Sequence, residues 1–150
     1  MRVTYTLLLA TLCAAVGLSA RAEGKLQVIK MSDIKWAPCD PKAPQPDPCQ
    51  INYFRGNPEK EENYSFFRVP KGHTFSAHWH IHNENIIVTQ GTLLIGGEND
   101  AKGTPVRAGE YLHVPAKFIH WATCAEQDCV VYLNNEGADS YIDVKERRPD

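Results

Sequence analysis

Basic residues are not in excess in this 150-residue chain. Lysine and arginine number 16 against 18 aspartates and glutamates, and they form no run or stripe, so the electrostatic footprint of a phosphate-backbone binder is missing. Beyond residue 22 no apolar stretch approaches the ~20 residues that cross a bilayer, so no span is expected after the N-terminal segment. A convincing helical period is absent. So are a nucleophile–base triad, a phosphate-cradling glycine loop and a redox Cys-x-x-Cys pair, which argues against acyl transfer and nucleotide chemistry. With 43% apolar and 9% aromatic residues, what remains is a globular composition of a size for one packed domain.

The first 22 residues read differently from the rest. Arg2 supplies a positive start, Leu7 to Leu18 is an almost uninterrupted apolar stretch, and Ala20-Arg21-Ala22 has the small-x-small pattern of a signal-peptidase site. Cleavage after Ala22 is expected. It leaves 128 residues carrying 14 basic and 18 acidic side chains, a mildly acidic protein that is secreted or periplasmic and free of the membrane. Cys13 departs with the signal. Cys39, Cys49, Cys124 and Cys129 remain, an even number in an oxidising setting with three pairings open to it. Proximity in sequence favours Cys39 with Cys49 and Cys124 with Cys129 over the other pairings, and over a four-thiolate zinc site, whose spacings are not present. The Cys39–Cys49 interval holds four prolines in nine positions and excludes both helix and central strand.

The expected organisation is a signal over 1–22, an arm with a proline-rich loop over 23–50, and the domain proper over 51–150. In the arm, Lys25 to Lys30 reads as a strand. Further short runs follow at Ser65 to Val69, Thr74 to Ile81, Asn85 to Thr89, Thr92 to Ile95, Glu110 to Val114 and Val130 to Asn134. Turns punctuate them at Gly56-Asn57-Pro58, Pro70-Lys71-Gly72, Gly96-Gly97 and Ala108-Gly109. This pattern predicts an all-β sandwich or barrel.

All six histidines fall between positions 73 and 120. In an extended strand His78 and His80 share a face, so two imidazoles can approach one ion, and Glu84 has the same parity beyond a bend at His82-Asn83. For any one of these residues taken alone, a solvated or hydrogen-bonded side chain is the competing expectation.

Gly72-x5-His78-x-His80-x3-Glu84-x6-Gly91 matches in full the first motif of the cupins, and Gly109-x5-Pro115 followed by His120 resembles the second. The chain is thus similar to the cupins, and its flanking segments, including Asn57-Pro58-Glu59-Lys60, resemble small single-domain cupins of the anti-sigma ChrR-like kind. That resemblance implies a cupin-type double-stranded β-helix, a jelly-roll barrel, in which His78, His80, Glu84 and His120 hold one divalent metal ion: iron, manganese, nickel, copper, cobalt or zinc. Lys117 stands where the second motif has glycine and Cys124 where it has asparagine; neither is a ligand position. An ion held by four such ligands keeps vacant positions, which suits oxygen chemistry or Lewis-acid chemistry on a small organic substrate. The expectation is an exported metal-dependent oxidoreductase of dioxygenase type. Its rivals are a non-catalytic module that binds or senses a small molecule and a structural cupin without metal.

His73, His82 and His113 fall outside the ligand set: His73 is expected in solvent, His82 partly exposed, His113 on the opposite strand face. Trp79 is expected to pack against the second sheet or a partner subunit, and Phe118 and Trp121 to wall the pocket. Nucleic acid is not an expected partner. Dimerisation through one sheet is a further expectation from the resemblance.

Overall fold

The computed structural model describes residues 25–43 and 47–149; the signal segment and Cys13 lie outside the described residues. Among these residues the only helical element is one 3-10 turn, Met31–Asp33. Eleven strands make up the remaining regular structure: β1 (Ala37–Pro38), β2 (Gln50–Gly56), β3 (Asn63–Val69), β4 (Thr74–Trp79), β5 (Glu84–Gln90), β6 (Thr92–Gly97), β7 (Thr104–Arg107), β8 (Tyr111–Val114), β9 (His120–Cys124), β10 (Cys129–Asn135) and β11 (Ile142–Asp143).

They form two antiparallel sheets, ordered β1-β2-β3-β10-β5-β8 and β11-β4-β9-β6-β7. The two sheets face each other as a jelly roll, and where the ladders are regular the strands alternate between the interior and the outside. In β10 the alternation places Val131 and Leu133 inward. They meet Ile86 and Val88 of β5, Leu93 of β6, Val106 of β7 and Ala122 of β9 in one core cluster.

One end of the barrel is closed by covalent links. Cys39 is bonded to Cys49 and Cys124 to Cys129, the pairing favoured from sequence, and Cys49, Cys124 and Cys129 are fully buried around Val69. The second bridge spans the β9–β10 turn, where the family pattern has asparagine. Lys117 takes φ +64°, the left-handed conformation that glycine adopts at no steric cost, and its backbone N–H donates to the carbonyl of His80.

The expected strand over Lys25 to Lys30 does not form. This segment is irregular and exposed, with Leu26 93% accessible, because β1 and not the arm pairs with β2. Five strands were not anticipated. β2 and β9 are continuous polar–apolar mixtures without clean alternation, β7 contains Pro105 and survives only as a sheet edge, and β1 and β11 are each two residues long.

Candidate metal centre

The end of the barrel opposite the disulfides gathers the polar side chains. His78 lies near the end of β4 and pairs in register with His120 at the start of β9, while Glu84 opens β5 and pairs with Asn135 at the end of β10. His80 follows β4 directly. His78, His80, Glu84 and His120 are all buried, at 5, 6, 6 and 2% exposure. The ligand atoms of the three histidines lie within 4.8 Å of one another, and Glu84 Oε2 stands 3.7 Å from His80 Nε2 and 3.9 Å from His120 Nε2. Those gaps are too wide for hydrogen bonds.

The imidazoles are oriented from behind. Nδ1 of His78 lies 2.7 Å from the Ser76 carbonyl, Nδ1 of His80 2.7 Å from that of Ser140, and Nδ1 of His120 3.0 Å from that of Phe118. A carbonyl only accepts, so each Nδ1 carries the proton and each Nε2 keeps a free lone pair. His80 Nε2 is buried without any hydrogen-bond partner. A buried, unpartnered lone pair among two similar ones and a carboxyl group is the donor set a divalent cation satisfies, so these residues fit such an ion.

Electrostatics agree with the geometry. Burial, reinforced by the neighbouring His120 and His80, pushes His78 down to about 3, and burial also lowers His80 and His120. Burial lifts Glu84 up to about 7, opposed by His120 and reinforced by Asp139. Without a cation the cluster therefore holds neutral imidazoles and a carboxyl group that resists ionisation.

The cluster opens into a cavity of about 460 Å³ that runs between the sheets toward the disulfide end. Its walls include Phe67, Phe75, Ile86, Leu93, Val131 and Leu133. The aromatic wall differs from expectation. Trp121 follows His120 by one residue and so points out of the barrel, where its ring lies over Gly96 and Gly103 and its Nε1–H donates to the Asp100 carbonyl at 2.9 Å. A Cβ on either glycine would stand 2.7 Å from that ring. Phe118 is 49% exposed and likewise contributes no wall. Phe67 and Phe75, edge to face at 6.4 Å, take that place.

Trp79 packs beneath the C-terminal tail, with its Nε1–H donating to the Arg147 carbonyl and the Arg147 guanidinium 5.2 Å from its ring. His73 is half-buried, lines the far end of the cavity and meets Phe75 edge on, at variance with the solvated position expected. His82 packs against Gly137 and His113 bonds to Asn85 Oδ1 on the outer face; neither joins the cluster.

Sequence reasoning missed the segment 139–143. Besides the Ser140 carbonyl on His80, it supplies Tyr141, whose ring stacks on His78 at 4.0 Å and 18° and whose hydroxyl lies 3.3 Å from Ser76 Oγ. β11 then pairs Asp143 with His78. Asp139 lines the cavity and accepts the Tyr53 hydroxyl at 2.6 Å; together with burial this raises the Tyr53 phenol pKa. No spacing motif announces these contacts, since they join residues 60 and more positions apart.

The family model described as the ChrR Cupin-like domain matches residues 25–138. The chain belongs to this cupin family. The match stops just short of Asp139, so the segment that backs two of this cupin's three histidines lies outside it. Among solved structures, this cupin is similar to a candidate acetylacetone dioxygenase from Methylibium petroleiphilum PM1, with 20% identity, TM-score 0.65, and coverage of 87% of this chain and 90% of the other. It is similar to an RmlC-like cupin protein from Ralstonia eutropha JMP134, at 20% identity and TM-score 0.64 over 84% and 78% of the two chains. A third likeness is to the structure of Rhodobacter sphaeroides SigE in complex with the anti-sigma ChrR: 17% identity and TM-score 0.53, with 71% of this chain and 51% of that one covered. At these identities the likeness speaks for the fold. No curated protein matches the sequence at a significant level.

Among the described residues no helix is long and apolar enough to cross a membrane. The two disulfides fit an oxidising compartment.

Proposed function

We propose that this cupin is an exported metal-dependent oxidoreductase of dioxygenase type, in which His78, His80, Glu84 and His120 hold one divalent ion and a small organic substrate enters the cavity beside it. The observation that carries this reading is the set of three Nε2 lone pairs aimed at one another, with one of them buried and unpartnered, next to a buried carboxyl group and a largely apolar cavity. A bound redox-active ion would supply the one-electron chemistry that dioxygen needs. The chain's own contribution is positional. Three backbone carbonyls fix the imidazole tautomers, Tyr141 fixes the plane of His78, and the two sheets exclude water from the organic part of the substrate.

The test is oxygen uptake by metal-loaded protein over a panel of enediols, phenolics and diketones, alongside the His80→Ala variant. The reading predicts uptake that disappears in the variant while its circular dichroism is retained. Unchanged turnover in His80→Ala contradicts it. Export predicts a mature N-terminus at Glu23 in protein recovered from its native compartment.

A second reading is favoured by the family match itself: a ChrR-like domain in which the ion captures a small molecule without turning it over. Zinc at full occupancy with no oxygen uptake across the panel supports that reading.

A further inference from the structure

The cavity next to the histidine cluster has a one-sided chemistry. Its body is apolar, walled by Phe67, Phe75, Ile86, Leu93, Val131 and Leu133 from both sheets. Its acidic side chains have no basic counterpart. Asp40 and Asp47 line one end, Glu84 and Asp139 the other, and among the described residues no lysine or arginine lines it anywhere. The two carboxylates at the disulfide end are held in place by loop backbone: Asp47 accepts the N–H groups of Asp40 and Cys49 at 2.9 Å, and Asp40 accepts that of Lys42 at 2.8 Å. Both carboxylates thus stand at the cavity end with no cationic side chain among its lining residues.

The cavity is also elongated. Val131 and Asn135 both line it from β10, four residues apart, which is about 13 Å along a strand. A molecule held at the histidine end therefore extends its body over the phenylalanines toward the acidic end.

We infer that the ligand is an uncharged apolar molecule, one ring or a short chain, that presents its oxygen donors only at the histidine end and carries no carboxylate or phosphate on its body. An anionic body would be desolvated against aliphatic and aromatic carbon with no cation to pair it and with carboxylates beyond. This inference rests on the proposed metal site for the donor end, but the body of the ligand is selected by the cavity walls alone.

Two pairs of probes, each differing by methyl against carboxylate, separate those parts. With chelator-treated protein, toluene and benzoate are titrated while chemical shifts of the Val131 and Leu133 methyl groups are followed. Toluene is expected to shift them and benzoate not. With zinc-loaded protein, a redox-silent state, 4-methylcatechol and 3,4-dihydroxybenzoate are titrated by calorimetry without oxygen. The methyl compound is expected to bind about 100-fold more tightly, since an unpaired buried charge is strongly unfavourable. Replacing 4-methyl by 4-ethyl should tighten binding about four-fold, the effect of one more buried methylene.

Equal or tighter binding of the carboxylate member in either pair overturns the inference, as does failure of toluene to perturb the cavity methyls. If toluene binds selectively but zinc analysis finds no bound ion, the cavity inference stands and the metal-centre reading fails.

Discussion

Acidifying the metal-free Glu84→Gln variant should destabilise it well before its surface carboxylates titrate. His78 has its pKa lowered from 6.5 to about 3 by burial, so between those values the unfolded chain binds a proton that the folded protein refuses. Its contribution to stability is complete above pH 6.5 and drains as the pH falls through that window. From pH 8 to pH 5 this one residue removes about 2 kcal/mol, because each pH unit crossed inside the window costs about 1.4 kcal/mol. His80 and His120 are lowered in the same direction and for the same reason, and add to the loss.

Glu84 works the other way. Its pKa is raised from 4.5 to about 7, so the folded protein binds the extra proton, and acidification over the same range returns about 2.5 kcal/mol. In the wild-type protein the carboxyl thus offsets the His78 loss, and what remains is the loss from His80 and His120. In Glu84→Gln the returning contribution is gone, and the loss on acidification should steepen by about the same 2.5 kcal/mol. Urea denaturation of chelator-treated protein with its disulfides intact, followed by tryptophan fluorescence between pH 8 and pH 5, measures both proteins. Stability that stays level or rises on acidification in Glu84→Gln would refute the neutral, buried histidine cluster.

Other outcomes follow from single contacts. Tyr141→Ala removes the ring stacked on His78 and should weaken zinc affinity about ten-fold in chelator competition, whereas Tyr141→Phe keeps the ring and should keep the affinity; equal loss in both would assign the effect to the hydroxyl. Replacing Cys124 and Cys129 together by alanine opens the bridge across the β9–β10 turn and should cost about 2 kcal/mol in urea titrations, the loop-closure value for so short a ring. Gly96→Ala places a methyl 2.7 Å from the Trp121 ring and 2.8 Å from the Asp100 carbonyl, and should destabilise by about 1–3 kcal/mol with a shift in tryptophan emission. An unchanged midpoint and spectrum would mean that the outer face of β6 is loosely packed.

The parts of this molecule that were legible in sequence are those written in short-range patterns. Alternation and turn residues mark β3, β4, β5, β6, β8 and β10, and the spacing of His78, His80 and Glu84 points to their approach, although His80 follows β4 and Glu84 opens a strand of the other sheet. The cysteine pairs were close in sequence and are bonded as proximity suggested. His120 needed the resemblance to a second motif, because nothing local ties a histidine on β9 to one on β4.

What stayed hidden depends on long-range register. Trp121 was placed in the pocket because it adjoins His120, yet adjacency along a strand sends it to the opposite face, onto Gly96 and Gly103. The Lys25 to Lys30 segment has a strand-like composition, but the place beside β2 is taken by β1 and the segment pairs with no strand. Tyr141 and Ser140 reach the centre only because the chain returns across the barrel end after β10 and pairs with β4.

Under the proposed function the four buried side chains hold a metal ion in the working protein. Elemental analysis of the protein purified from its native compartment, without added metal or chelator, tests it directly, with His78→Ala purified in parallel. One equivalent of a divalent transition metal per chain is expected, and its loss in the variant. Metal-free wild-type protein, or a metal content untouched by His78→Ala, would contradict it.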